Sequence, residues 1–298
     1  MEDDATKGRR FFLNMNTNPL NCLSVDVEDW FNILDTNKAP LISDWGGMKI
    51  RFIKPLEKLL QLFSKYNVKS TFFWLGWFGE RYPKLVKACY EAGHEIASHG
   101  YGHVLAYQVG RKEFVTDIVK GKNVLQDIIG DTVKGFRAAG FSTLNETSWV
   151  LDEVKAAGYI YDSSIFPASR GHGGMIGVDL EPHFIQTPFG PLLEFPQSML
   201  NIMGHRFSFF GGGYLRLAPL SLIKFATKKL HEQGRPLIIY IHPREIDPSH
   251  PRLPLSLLRS FKCYVNLEST FNKLEWFCKN ISFTPMIKMA EAFTPSSN

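Results

Sequence analysis

The sequence has few cysteines, and none are spaced for a disulfide framework or a thiolate metal centre. Four of the 298 residues are cysteine, at positions 22, 89, 263 and 278, and no Cys-x-x-Cys motif is present. Dense cysteine patterns are typical of small secreted domains, whereas isolated cysteines in a longer chain are typical of reduced thiols. We therefore expect four free, mostly buried thiols in a reducing compartment.

Long apolar runs are also missing. A membrane-spanning helix needs about 18 or more consecutive apolar residues, and no window of the chain approaches that length. Residues 1–20 begin with acidic side chains and contain no apolar core of the kind found in signal peptides. We therefore expect a cytoplasmic protein with no transmembrane segment, in which residues 1–20 form a flexible N-terminal tail. Peripheral association with a membrane stays open.

Charge of one sign is not concentrated in any segment. The formal net charge is +5, which is mildly basic and compatible with an anionic or phosphorylated substrate. No block of like charge and no nucleic-acid-binding motif accompanies this charge. We therefore expect no nucleic-acid partner.

A glycine-rich dinucleotide fingerprint does not follow the first apolar run, which argues against a doubly wound nucleotide-binding sheet. Apolar and β-branched runs predict strands over residues 21–28, 68–75, 94–98, 133–137, 159–163 and 236–243. Apolar residues at helical spacing predict helices over residues 49–66, 83–92, 111–129, 146–157, 219–233 and 267–278. This alternation predicts parallel βα units with right-handed crossovers. We therefore predict a single α/β domain with parallel strands that forms a barrel, closed or imperfectly closed.

Acids and imidazoles lie at the carboxyl ends of three predicted strands: Asp26, Glu28 and Asp29 on the first, His99 and His103 on the third, and His242 on the last. In a barrel these strand ends converge on one face. The His-x-x-x-His spacing is weak by itself, because chance produces it in roughly a quarter of such chains. Together with a carboxylate, however, two imidazoles make a typical catalytic site for a divalent metal.

These residues fall in five segments whose order resembles the polysaccharide deacetylase family (carbohydrate esterase family 4, the nodulation-protein-B homology domain). The segments are residues 24–29, 98–103, 135–139, 161–164 and 240–243. Residues 258–267 are similar to the C-terminal extension of a subgroup associated with exopolysaccharide biosynthesis. The resemblance implies a distorted barrel as catalytic domain over residues 21–290, with residues 246–290 as an extension packed on it.

The resemblance also implies roles for individual residues. Asp26 would be the general base and His242 the general acid. His99 and His103 would be metal ligands. Arg137 would hold Asp26 through a charge-assisted pair.

Two further positions are implied with alternatives. Glu28 would supply the metal carboxylate, but Asp29 is a rival because an adjacent pair of aspartates is commoner in the family. Alternation along a strand places Asp26 and Glu28 on one face, which favours Glu28. Asp162 would orient or tune His242, unless it only forms the turn ahead of Ser163.

The implied activity is metal-dependent removal of an acetyl group from an N-acetylated sugar in polysaccharide, cell-wall or glycolipid biosynthesis. Zinc is the expected metal, with cobalt, nickel or manganese as alternatives. The expected partner is an acetylated sugar, and a lipid-linked sugar is one candidate. The competing interpretations are a hydrolase of cyclic amides on the same fold and a non-catalytic carbohydrate-binding domain.

Overall fold

A computed structural model describes residues 20–34, 36–169 and 173–293. The tail expected over residues 1–20 lies outside the described residues except for Leu20. Ten strands are present in the described ranges: β1 Cys22–Val27, β2 Thr71–Trp74, β3 Glu95–Ser98, β4 Gly135–Phe136, β5 Tyr161–Asp162, β6 His183–Thr187, β7 Gly190–Glu194, β8 Met199–Ile202, β9 His205–Ser208 and β10 Ile238–Ile241.

The same ranges contain eleven helices: α1 Ile53–Lys65, α2 Gly76–Arg81, α3 Pro83–Glu91, α4 Ala106–Val109, α5 Arg111–Ile129, α6 Trp149–Ala156, α7 Gly212–Leu217, α8 Leu220–Glu232, α9 Leu257–Tyr264, α10 Leu267–Asn280 and α11 Met286–Ala292. Short 3-10 turns cover Ile42–Gly47, Ala139–Phe141, Asn145–Thr147 and Pro243–Ile246. No helix among the described residues combines the length and apolar character that crossing a membrane requires.

Eight strands form one sheet in the order β10-β1-β2-β3-β4-β5-β7-β6. All neighbours are parallel except β6 and β7, which form an antiparallel hairpin at one edge. The sheet curls into a half-barrel with helices packed against it, so the predicted distorted barrel is confirmed. A parallel bridge from Gly211 to Tyr240 continues the curl beyond β10.

Local sequence explains the elements that support the site. All six residues of β1 are buried, as expected for a central parallel strand that is covered on both faces. Helix α1 places Leu56, Leu59 and Phe63 on one buried stripe. Helix α3 begins at Pro83, whose missing amide hydrogen costs nothing in a first turn.

The C-terminal segment is joined to the start of the sheet by long-range hydrogen bonds. Asn21 Nδ2 donates to the Ser282 carbonyl at 3.2 Å, and the Met286 amide donates to Thr71 Oγ1 at 2.7 Å. These bonds connect residues near the C-terminus to β2 and to the residue before β1. All four cysteines are free and buried, as the sequence predicted.

His94 makes folding stability sensitive to pH. Its Nδ1 accepts a hydrogen bond from the Ser70 amide at 3.2 Å, and its ring packs edge-on against Phe72. Burial lowers the pKa of His94 to about 4. Because this lies below the unfolded value near 6.5, its contribution to stability is full above pH 6.5 and is lost as the pH falls toward 4.

We predict that His94→Asn removes part of this pH dependence. The wild type should lose up to about 1.4 kcal/mol of unfolding free energy per pH unit over that window through this residue. Urea unfolding at pH 7.0 and 5.0 measures the difference, with His205→Asn, an exposed histidine, as the control. An equal loss of stability in the wild type and in His94→Asn would contradict the prediction.

Candidate metal and acid–base site

Three predicted metal ligands converge at the carboxyl ends of the strands. Glu28 follows β1, and His99 and His103 lie on the loop that follows β3. Glu28 Oε1 lies 2.9 Å from His103 Nε2 and 3.2 Å from His99 Nε2. All three side chains are buried, and their ligand atoms lie within 4.8 Å of one another. One carboxylate and two imidazole nitrogens in this arrangement suit a divalent transition metal.

The orientation of His99 is fixed from behind. Its Nδ1 lies 2.7 Å from the Arg137 carbonyl, which can accept only if Nδ1 carries the proton. Nε2 then faces Glu28. A backbone carbonyl behind an imidazole is the usual arrangement around metal-binding histidines.

Asp117 holds the loop that carries both histidines. The amides of Tyr101 and Gly102 donate to its carboxylate at 2.8 and 2.7 Å. Gly100, at φ +77°, passes so close that a Cβ there would lie 2.4 Å from Asp117 Oδ2. Sequence reasoning missed Asp117, which sits within the predicted helix over residues 111–129 and carries no motif of its own.

The residues of the cluster shift one another's pKa values through hydrogen bonds and charge. Burial alone would raise the pKa of Glu28, but the charges and hydrogen bonds of His103, His242 and His99 lower it well below its usual range. Burial alone would lower the pKa of His99, but the hydrogen bond to Glu28 and the charge of Asp26 raise it. A bound cation would displace these protons, so metal binding should release them to solvent.

Asp29 does not reach the cluster. Its Oδ1 accepts from the Trp30 amide at 2.7 Å, and its Oδ2 accepts from the Arg51 and Phe52 amides at 2.7 and 3.1 Å. These bonds occupy the carboxylate and connect the end of β1 to the start of α1. Asp29 therefore stabilises the backbone between β1 and α1. It is not part of the cluster of possible metal ligands, in which the sequence left it as a rival to Glu28.

Asp26 and Arg137 form a buried ion pair. Arg137 Nη1 lies 2.6 Å from Asp26 Oδ1 and also donates to Ser24 Oγ at 2.8 Å. The remaining nitrogens of Arg137 donate to the carbonyl and hydroxyl of Ser163, and the side chain has no solvent exposure. Asp26 Oδ2 is left facing His242.

His242 completes the group from the end of β10. Its Nε2 lies 3.6 Å from Glu28 Oε1 and 3.9 Å from Asp26 Oδ2, and its Nδ1 lies 3.3 Å from Glu245 Oε2. Burial lowers the pKa of His242 to about 4, despite the opposing charge of Glu28. The imidazole is therefore neutral near pH 7.

Asp162 has a different set of contacts from the one expected. Its carboxylate accepts from the amide and hydroxyl of Ser164 at 3.0 and 2.7 Å. The parallel register of β5 and β7 places it beside Glu194, whose pKa is raised well above its usual range by burial and by the charge of Asp162. Of the two alternatives expected for Asp162, its bonds to Ser164 correspond to the turn after β5, and the carboxylate that contacts His242 Nδ1 is that of Glu245.

Three of these side chains line one cleft. Asp26, Glu28 and His242 line it together with Phe141 and Tyr240. Gly212 and Gly213 form part of the wall. The preceding Gly211 has no room for a side chain, since a Cβ there would lie 2.1 Å from the Tyr240 ring.

Comparison with family models divides the chain into two adjacent parts. Residues 54–161 match the model described as polysaccharide deacetylase. Residues 163–291 match the model of a domain of unknown function, DUF3473. The second match covers residues 258–267, the segment similar to a subgroup-specific extension.

Curated relatives match over part of their length. A peptidoglycan-N-acetylglucosamine deacetylase of Bacillus cereus is 32% identical over 97 residues, which are 32% of this chain and 35% of that protein. A peptidoglycan deacetylase of Helicobacter pylori is 29% identical over 110 residues, which are 37% of this chain and 36% of that protein. The chain thus spans about a third of the length of these relatives.

Solved structures share the fold across nearly the whole chain. A Mycobacterium smegmatis structure described as a polysaccharide deacetylase superposes with a TM-score of 0.61 at 18% identity, covering 95% of both chains. A structure described as Puue allantoinase also gives a TM-score of 0.61 at 18% identity, covering 93% of this chain and 92% of that one. At such identities these similarities establish the fold alone.

We predict that metal binding distinguishes Glu28 from its neighbour. The wild type should bind one equivalent of Zn²⁺, and Glu28→Gln should weaken that binding at least tenfold, because a neutral amide replaces the carboxylate facing both imidazoles. Asp29→Asn should bind Zn²⁺ within threefold of the wild type but melt at a lower temperature. Isothermal titration calorimetry and thermal melting measure both effects. Loss of Zn²⁺ binding in Asp29→Asn alone would overturn the assignment.

Proposed function

This chain belongs to the polysaccharide deacetylase family, and we propose that it is a metal-dependent hydrolase that removes the acetyl group from an N-acetylated sugar. The substrate class is a polysaccharide, a cell-wall glycan or a glycolipid intermediate. One observation carries the proposal: a base, Asp26, and an acid, His242, line one cleft together with Glu28, which belongs to a cluster of metal-ligand type.

The residues present fit a divalent cation. Glu28, His99 and His103 would hold it, with zinc as the first candidate and cobalt, nickel or manganese as alternatives. When bound, such a cation lowers the pKa of a water ligand and polarises the acetyl carbonyl. The carbonyl of Arg137 behind His99 Nδ1 supports this fit, because it leaves Nε2 available for a ligand bond.

Asp26 accepts the proton of the attacking water. Arg137 occupies Oδ1, so the lone pairs of Oδ2 are the ones available to a proton on the cleft side. The buried guanidinium also fixes the carboxylate in position and compensates its charge where water is excluded. A general base positioned in this way contributes about 10²–10⁴-fold to a rate.

His242 delivers the proton to the departing nitrogen. Because its imidazole is neutral before reaction, it needs a proton during the cycle, and Asp26 Oδ2 at 3.9 Å is an adjacent source. Glu245 accepts from Nδ1–H and so keeps Nε2 as the atom that receives and returns the proton. The water oxygen bonds to the acetyl carbon, and one water proton passes to Asp26, to His242 and to the sugar nitrogen as the carbon–nitrogen bond breaks. The products are an amino sugar and acetic acid, which ionises to acetate.

We predict that Asp26→Asn lowers acetate release at least a hundredfold while Zn²⁺ content stays within a fifth of the wild-type level. The physical reason is that an amide cannot take the proton of water. The measurement is acetate released from triacetylchitotriose, with Asp152→Asn on α6 as the matched control outside the cleft.

Undiminished acetate release by Asp26→Asn would contradict this mechanism. If no N-acetylated sugar released acetate but cyclic amides were opened, the activity would instead be that of a ring-amide hydrolase. If neither reaction occurred and the chain still bound the trisaccharide, it would be a carbohydrate-binding domain.

A further inference from the structure

One wall of the cleft is built from arginines. Arg216 comes from α7, Arg259 from α9, and Arg244 from the 3-10 turn directly after His242. Two of these positions lie in the part of the chain after β10 that packs on the barrel. The wall therefore brings positive charge to the same space as the proposed acid and base.

The carboxylates near this wall already have cationic partners. Glu245 pairs with Arg216 and also contacts His242. Asp247 accepts two hydrogen bonds from Arg51, both at 2.9 Å. No carboxylate of the described residues lies within ion-pair distance of Arg244.

Arg244 also has hydrogen-bond donors without acceptors. Its Nε and Nη1 are buried, and neither has a hydrogen-bond partner among the described residues. Burying guanidinium donors without an acceptor is costly, and polar atoms left unpaired in a cleft are those that a ligand can satisfy. Arg244 therefore offers charge and donors that the fold itself does not use.

A second, independent donor faces the same cleft. Asn32 is 3% exposed, and its Oδ1 accepts from the Asp29 amide at 2.8 Å, so its Nδ2 points away from that bond. Nδ2 is buried and has no acceptor within the described part of the chain, and Asn32 lines the cleft together with Arg244. The side chains of Asn32 and Arg244 therefore both present unpaired donors in one cleft.

The positive charge of Arg244 lowers the pKa of its neighbours. Burial and the charge of Arg244 lower the pKa of Arg216 to about 9. The charge of Arg244 also opposes protonation of His242. An anion bound at Arg244 would relieve both effects and would complete the charge balance of the wall.

We propose, resting on the deacetylase function above, that the substrate carries an anionic group that binds Arg244, with Asn32 as a neutral donor. Arg244 is two residues from His242, so the anionic group belongs to the acetylated sugar or to the unit next to it. Guanidinium groups bind phosphate and carboxylate by the same charge-assisted hydrogen bonds. A sugar phosphate and a sugar acid are therefore the two sources of this group.

Three trisaccharides of equal length separate these possibilities. They are triacetylchitotriose, its reducing-end 1-phosphate and its reducing-end carboxylate, each assayed for acetate release by the zinc-loaded protein. The wild type should have a kcat/KM at least tenfold higher for one charged compound than for the neutral one. The charged compound that is preferred identifies the source.

Variants of Arg244 test the residue itself. Arg244→Gln should lower the charged-to-neutral ratio of kcat/KM at least tenfold, and Arg244→Lys should retain part of it. Both kcat/KM values come from one preparation, so any unfolded fraction lowers them equally and leaves their ratio unchanged. Arg111→Gln, whose wild-type guanidinium pairs with Glu153 outside the cleft, should keep the wild-type ratio.

A charged-to-neutral ratio of kcat/KM near one in the wild type would overturn the inference, and so would a ratio in Arg244→Gln equal to that of the wild type. Either result would leave the deacetylase function standing. Absence of acetate from all three compounds would instead refute the deacetylase function. In that case the anion site is tested by calorimetry, which compares binding of the 1-phosphate, the carboxylate and the neutral trisaccharide to the wild type and to Arg244→Gln. The anion site would be refuted if the wild type bound all three compounds equally, or if Arg244→Gln bound the charged compounds as tightly as the wild type.

Discussion

The buried residue Arg137 is the constraint on which the site depends. Its side chain holds Asp26, its carbonyl fixes the ring of His99, and its amide donates to the Ser98 carbonyl at 3.0 Å. One residue therefore sets both the proposed base and a proposed metal ligand. Losing one partner of such a buried pair typically costs 3–5 kcal/mol, because the other charge remains without compensation.

Parallel strands explain how residues distant in sequence reach this arginine. β1, β3 and β4 end at the same edge of the curled sheet, and β10 pairs directly with β1. The side chains that follow these strands then share one cleft at their carboxyl ends. Asp26 and Glu245 in this cleft pair with arginines, whereas Arg244 of the arginine wall has no carboxylate partner among the residues that the structure describes. That exception separates the part of the cleft that serves chemistry from the part that would select substrate.

Sequence periodicity was sufficient for the central strands and for the helices between them, because both faces of β1 and β2 are buried and α1 and α5 have long apolar stripes. It missed the β8–β9 hairpin, whose turn places Met203 at φ +51° before Gly204, a conformation that methionine does not signal. Alternation along β1 favoured Glu28 over Asp29, and the structure brings Glu28 to the histidines. The sequence left two roles open for Asp162, because its neighbours depend on the register with β7, which pairs it with Glu194 and which the sequence does not reveal.

The most direct measurement is a crystal structure of the zinc-loaded protein with anomalous data collected at the zinc edge. The account predicts one strong peak at zinc–ligand distance, about 2.0–2.2 Å, from a carboxylate oxygen of Glu28 and from Nε2 of both His99 and His103. Asp26 and His242 should lie beside that peak without ligating it. A peak bound by Asp29, or no peak at these histidines, would contradict the account.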